Sequence, residues 1–218
     1  MAKGREAGRS GPAGEGDAPS RVEVDAASGL ARGLRQVLSP HWDLRPAGQA
    51  PELIVVHGIS LPPGRFGGPW IDRLFCGDLP PGADPYFAQV AGLRVSAHAL
   101  VRRDGRMVQY VPFHRRAWHA GASSWRGRSA CNDFSIGIEL EGTDTDPYED
   151  AQYGSLAALV RGLLGAYPTL APDHLVGHDQ IAPGRKTDPG VSFDWPRLRQ
   201  LVAARPGATI PGPITQAT

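Results

Sequence analysis

The chain has 218 residues, 41% of them hydrophobic and 21% charged, with a formal net charge of +1. That length suits one principal domain with a substantial core, and the balanced charge makes no electrostatic case for nucleic acid or an anionic membrane as partner. No apolar run approaches the ~18 residues of a membrane-spanning helix, and two cysteines, Cys76 and Cys131, make no spaced metal pair.

Residues 1–22 are rich in glycine and alanine, carry Arg5, Glu6, Arg9, Glu15 and Asp17 in mixed sign, and lack the apolar stretch of a secretory signal. Such a composition buries too little to offset its ordering entropy. The reading is a disordered extension over 1–22, a folded domain over 23–204 and a flexible Pro- and Gly-rich tail over 205–218. A chain without an export signal is expected in the cytoplasm, with both thiols reduced. Leu30, Leu34 and Val37 share one helical face, which predicts a short helix before Leu38. Ser39-Pro40-His41-Trp42-Asp43 then reads as loop.

Glu52-Leu53-Ile54-Val55-Val56-His57 is a continuous aliphatic run, as expected of a strand buried on both faces, with His57 where strand gives way to loop. Trp70, Ile71, Leu74 and Phe75 have the spacing of a short helix. Residues 95–101 and 107–113 form a hairpin across Asp104-Gly105, with His98 on its first strand. Trp118-His119-Ala120-Gly121 is loop. In strand 134–141, Phe134, Ile136, Ile138 and Leu140 face one way, and Ser135, Gly137, Glu139 and Glu141 the other. The second set is either a solvated sheet face or a carboxylate with room for a ligand above the neighbouring glycine. Leu156, Leu159, Val160, Leu163, Leu164 and Tyr167 mark an amphipathic helix capped by Asp150 and ended by Pro168. Leu175-Val176-Gly177-His178 delivers His178, and residues 192–204 form the last helix.

The stretch Arg185-Lys186-Thr187-Asp188-Pro189-Gly190 follows His178 closely. Lys186 is one of two lysines, the other being Lys3, in a chain that otherwise writes its cations as arginine. A compact ammonium whose pKa responds to burial is a different tool from a guanidinium fork. Catalytic zinc takes three protein ligands and leaves a fourth position open, and two histidines with one carboxylate meet that need. His178 and Asp188 are candidate ligands. Among the seven histidines, His57 stands at a strand end, while His98 and His119 also stay open on physical grounds. There is no His-Glu-x-x-His helix and no Cys-x-x-Cys pair, which excludes the common zinc-protease and zinc-finger readings. A non-haem iron triad would use similar ligands, but nothing in the chain points to an oxygenase.

Four runs go further: Val56-His57-Gly58-Ile59-Ser60-Leu61-Pro62-Pro63-Gly64, Phe66-Gly67-Gly68-Pro69-Trp70-Ile71-Asp72, the segment from Asn132 through Glu139 and Glu141 to Asp144, and Arg185 to Gly190. Together they closely resemble the AmpD-type amidases, the cytoplasmic 1,6-anhydro-N-acetylmuramyl-L-alanine amidases of bacterial wall recycling, over residues 39–203. The wider family of phage amidases and peptidoglycan-recognition proteins shares only the zinc constellation and the fold.

The resemblance implies an α/β single domain, a mixed β-sheet with helices on both faces, in agreement with the elements above. It also implies one Zn2+ per chain on His57, His178 and Asp188, with Glu139 as general base and Lys186 as the cation facing the attacked carbonyl's oxygen. His119, Arg94, Arg185 and Gly58 match positions expected to meet substrate. The implied substrate is an anhydro-muramyl-peptide, cut between the lactyl group and L-alanine, with no protein partner, nucleic acid or membrane implied. Two departures stand out: Gly58 where asparagine is expected, and Ala130 where arginine is expected. The competing class is a non-hydrolytic peptidoglycan-fragment binding protein, which usually lacks a zinc ligand that this chain retains.

Overall fold

The computed structural model describes residues 21–204; the tail at 205–218 and nearly all of the extension at 1–22 lie outside them. The exception is instructive: Val22 is 3% exposed and belongs to the core. Its carbonyl sits against Gly162, where a Cβ would come within 2.5 Å of it. The absent side chain lets the incoming strand lie directly on a helix.

Residues 23–38 do not form the short helix that their apolar spacing predicts. They make a hairpin of β1 (Val24–Asp25) and β2 (Leu30–Ala31), then β3 (Arg35–Gln36). Gly29 and Gly33 take φ of 69° and 82°, conformations that suit turns and not a right-handed helix. Tertiary hydrogen bonds complete the override. The buried Gln109 side chain accepts from Ala31 N–H at 2.9 Å and donates to the Gly29 carbonyl at 2.8 Å.

After β4 (Trp42–Asp43) comes β5 (Leu53–Ile59), the buried strand expected from its aliphatic run. Helix α1 (Trp70–Cys76) buries Ile71, Leu74 and Phe75 as its spacing requires, and α2 (Phe87–Val90) is a single turn in a stretch read as irregular. The hairpin forms with shorter strands than expected, β6 (Ala99–Val101) and β7 (Met107–Gln109), closed by Gly105 N–H donating to the Arg102 carbonyl. Short pieces β8 (Arg116–Ala117), β9 (Ser124–Trp125) and β10 (Arg128–Ser129) lead to β11 (Ser135–Glu141). Helix α3 (Asp150–Ala166) is capped by Glu149 and not by Asp150: the Glu149 side chain and Gln152 form a reciprocal capping box. Strand β12 (Leu175–Gly177) runs into the short α4 (His178–Ile181), and α5 (Trp195–Ala203) closes the described chain, with the Asp194 carboxylate accepting from Arg197 N–H.

Six strands make one mixed sheet in the order β12-β5-β11-β6-β7-β3. Strands β12, β5, β11 and β6 run parallel to one another, β7 is antiparallel to β6, and β3 is parallel to β7. Ile54, Val56, Ile136 and Ile138 pack with Leu156, Leu159, Val160 and Leu163 of α3 and with α5. On the other face, α1 and α2 cover Leu100, Val108 and Tyr110, while Leu53 and Val55 meet Val176 and Ile181. The expected sheet between two helical layers is therefore present. No helix among the described residues is long and apolar enough to cross a membrane, and both cysteines are free thiols.

Beneath that second face lies a buried polar knot. Arg45, 9% exposed, donates to the carbonyls of Asn132, Asp133, Phe113 and Ser135 at 2.8–3.2 Å. Burial pushes its pKa down to about 10. Fully buried His98 accepts from Gly137 N–H at its Nδ1 (3.0 Å), and its Nε2–H donates to the Arg115 carbonyl (3.0 Å). Burial, then the Arg45 charge, pushes the His98 pKa down to about 3. A lysine at position 45 has one compact donor head and cannot reach four carbonyls, so Arg45→Lys is expected to lower the unfolding free energy by about 2–4 kcal/mol, read by urea titration. In the folded chain His98 stays neutral as pH falls from about 6.5 towards 3, whereas the unfolded chain takes up a proton there, so stability declines through that window. The urea-derived slope of stability against pH is expected to become shallower by about 1.4 kcal/mol per pH unit in His98→Gln.

Candidate functional site

Strand pairing sets the first two groups of the site. His57 and Glu139 are register partners across the parallel β5–β11 ladder, so their side chains leave the same face of the sheet. Strand β12 flanks β5 on its other side and ends at Gly177, which places His178 beside His57. Asp188 returns through the loop after α4, tied by Asp179 N–H donating to its carbonyl at 3.0 Å.

Three donor atoms converge there. His57 Nδ1 lies 2.9 Å from His178 Nδ1 and 3.1 Å from Asp188 Oδ2, and His178 Nδ1 lies 3.0 Å from the same oxygen. These residues form a cluster able to hold a metal ion, with both histidines buried. The chemistry of the donors tests that reading. His178 Nε2 faces the Ala120 carbonyl at 3.3 Å, an acceptor, so the tautomer with its proton on Nε2 satisfies that carbonyl and leaves a lone pair on Nδ1. Burial alone would push the Asp188 carboxyl up, but the two imidazoles beside it hold it far below the ordinary range, and it is ionised. Two imidazole nitrogens and an ionised carboxylate oxygen thus converge within 2.9–3.1 Å of one another, a donor set that a cation satisfies. The three separations are close to the roughly 3.3 Å set by tetrahedral bonds of about 2.0–2.1 Å. Burial pushes the His57 pKa down to about 4, so at neutral pH that imidazole is a neutral donor. The residues fit a small divalent ion.

His119 stands behind the triangle. Its Nδ1 lies 3.0 Å from His57 Nε2, and its Nε2 lies 3.2 Å from Ser135 Oγ. A proton on His57 Nε2 donated to His119, and one on His119 Nε2 donated to Ser135, leaves His57 Nδ1 free for a metal; such outer partners orient metal-bound imidazoles. Burial holds the His119 pKa well below its ordinary value. The ring stands over Gly137, where a Cβ would fall 2.4 Å from it. His98, also open as a ligand on sequence grounds, spends both nitrogens on the backbone as described above and takes no place in the triangle.

Glu139 and Glu141 do not form a solvated face; they are 9% and 2% exposed. Their fates differ. Glu141 accepts from Gly67 N–H (2.6 Å) and Arg102 (3.3 Å), pinning the loop before α1. Glu139 Oε2 is buried with no partner. Burial and then the Asp188 charge raise its pKa well above the ordinary carboxyl value, and the Lys186 charge opposes them. Lys186 itself is exposed. A cavity of about 910 Å³, lined by Phe66, Asp72, Arg102 and Glu141 among others, includes none of His57, His178 and Asp188.

The positions expected to meet substrate also have partners within the chain. Arg185 gives Nη2 to the Ala120 and Ala122 carbonyls at 2.6 and 2.7 Å and Nε to Ala122 at 3.1 Å, so it braces the loop that holds His178. Arg94 is exposed and stacks 5.2 Å above the Trp118 ring. The space beside Gly58 is filled by the Tyr148 hydroxyl, 2.5 Å from where a Cβ would stand. Ser135 and Tyr148 were not among the sequence candidates. A serine alternating with Gly137 and Glu139 on one strand face was a usable signal for the first; no local pattern marks the second.

Residues 46–191 match the family model described as N-acetylmuramoyl-L-alanine amidase. The chain is 65% identical over 169 residues to the 1,6-anhydro-N-acetylmuramyl-L-alanine amidase AmpD of Salmonella typhimurium (strain SL1344), covering 78% of this chain and 90% of that one. It is 63% identical over 171 residues to the AmpD of Escherichia coli (strain K12), covering 78% and 93%. Among solved structures, a selenomethionine AmpD derivative superposes with a TM-score of 0.79 at 62% identity, over 82% of this chain and 98% of that one. The Escherichia coli amidase AmiD, solved with the substrate anhydro-N-acetylmuramic acid-L-Ala-D-γ-Glu-L-Lys, gives 0.51 at 29% identity, over 84% and 66%. By these likenesses, and with the family model spanning most of its folded length, the chain belongs to the N-acetylmuramoyl-L-alanine amidase family.

Proposed function

We propose that this chain is a zinc-dependent amidase that hydrolyses the bond between the lactyl group of 1,6-anhydro-N-acetylmuramic acid and L-alanine in peptidoglycan turnover fragments, acting in the cytoplasm. The observation that carries the reading is the convergence of His57 Nδ1, His178 Nδ1 and Asp188 Oδ2 beside a buried, unpartnered Glu139 oxygen. Family membership and the AmpD relatives support the bond and the substrate class, and two free thiols agree with a reducing compartment.

His57, His178 and Asp188 would hold one zinc ion, which when bound supplies Lewis-acid polarisation and makes water available as a nucleophile near neutral pH. Glu139 takes the proton that the attacking water gives up and passes it to the nitrogen of L-alanine as the C–N bond breaks. The products are the lactyl carboxylic acid and a peptide with a free amino terminus. A carboxyl whose proton affinity is raised by burial suits both halves of that transfer. The Lys186 ammonium supplies positive charge for the carbonyl oxygen as negative charge develops on it. His119 and Ser135 keep the His57 ring in the tautomer that ligation needs.

Glu139→Ala is expected to keep its zinc and lose about 10²–10⁴ in kcat, and Lys186→Ala to lose about 10²–10³ with zinc retained. Asp188→Ala should lose both metal and turnover. Metal content by atomic spectroscopy and release of free tripeptide from anhydro-muramyl-tripeptide, followed by mass spectrometry, read all three. The same assay on zinc-loaded and metal-stripped wild type tests the function: tripeptide should appear only with zinc. Bound zinc and bound fragment without cleavage would instead make the chain a receptor.

A further inference from the structure

We propose that Tyr148 is a positioning residue for the metal-binding carboxylate, holding Asp188 in place through the carbonyl of Pro189. The inference rests on the zinc reading above and adds a residue that no sequence pattern marked.

Tyr148 lies between β11 and α3 and is 5% exposed. Its hydroxyl donates to the Pro189 carbonyl at 2.9 Å, a contact between residues 41 apart in the chain. Two glycines clear the slot that admits the side chain. A Cβ on Gly142, just past β11, would fall 2.4 Å from a ring carbon, and one on Gly58, within β5, would fall 2.5 Å from the hydroxyl oxygen. Phe193 closes the slot edge-on, its ring centroid 5.4 Å away.

What the hydroxyl grips matters more than the slot. Proline has no N–H, so the carbonyl is the only backbone hydrogen-bonding group Pro189 offers. The residues on either side are fixed by other parts of the fold. The Asp188 carbonyl takes the Asp179 N–H at 3.0 Å, and Gly190, at a φ of 91°, packs so closely on the Asp144 backbone that a Cβ would overlap it. Between them the phenol supplies the one side-chain tether, and it can be removed without altering the backbone. Loss of an outer partner of this kind typically costs 10–100-fold in metal affinity.

The test compares full-length wild type, Tyr148→Phe and Phe193→Leu. Zinc affinity is measured by competition with a chromogenic chelator, ligand geometry by the visible spectrum of the Co2+-loaded protein, and apo stability by urea titration. Tyr148→Phe is expected to raise the zinc Kd by about 10–100-fold and to change the cobalt band. Phe193→Leu, which loosens the ring but leaves the hydroxyl, should lower the urea midpoint while keeping Kd within about threefold of wild type. Wild-type Kd and cobalt spectrum in Tyr148→Phe would overturn the proposal, as would parallel loss of affinity and stability in both variants. Should wild type bind zinc no better than Asp188→Ala, the metal reading itself fails, and the Tyr148 inference goes with it.

Discussion

The register of β5 on β11 is the constraint on which the site depends. His57 opposes Glu139 only while Leu53 opposes Ser135 and Ile54 opposes Ile136 along the same ladder. Side chains alternate with a period of two, so a slip of one residue would send one partner to the opposite face of the sheet. The apolar residues around the pair prevent it. Ile54, Val56, Ile136 and Ile138 fill the face against α3, and Leu53 and Val55 fill the other beside Ile181. Strands buried on both faces have no neutral alternative register, so hydrophobic packing away from the site aligns His57 with Glu139.

Around that pair the polar groups are arranged in shells. The triangle of His57, His178 and Asp188 is backed by His119 and Ser135 on one side and by the Ala120 carbonyl on the other. Arg185 secures the same carbonyl, so the loop of residues 119–122 is held from the segment that carries Lys186 and Asp188. Arg45 and His98 lie deeper and bond almost entirely to backbone. They stabilise the platform and leave the chemistry to the layer above. Buried groups with their donors and acceptors largely matched keep such a site in one arrangement.

Much of this was legible before any coordinates, and unevenly so for physical reasons. β11 and α3 were readable because their apolar residues repeat with the period of the element, and β5 because its unbroken aliphatic run suits a strand buried on both faces. Residues 23–38 misled because Leu30 and Leu34 fit a helix locally, while Gln109, some eighty residues away, supplied hydrogen bonds that favour an extended chain. The cap of α3 moved from Asp150 to Glu149 because Gln152 stands three residues after the glutamate. Spacing left His57, His98 and His119 equal as ligands; only the partners of their second nitrogens separate them. That Arg185 also braces the Ala120 and Ala122 carbonyls was not legible, because a sequence does not show which carbonyls a guanidinium will meet. The resemblance to AmpD-type amidases pointed to His57, His178 and Asp188, and those residues do converge.

The scarcity of lysine has a consequence for labelling chemistry. Lys186 is the only lysine among the described residues, it is exposed, and it stands beside the site. Among the described residues an amine-directed reagent therefore meets a single side chain, so a chromophore or cross-linker carried there would report from the loop that bears Asp188, with Lys3 the one other lysine to replace first.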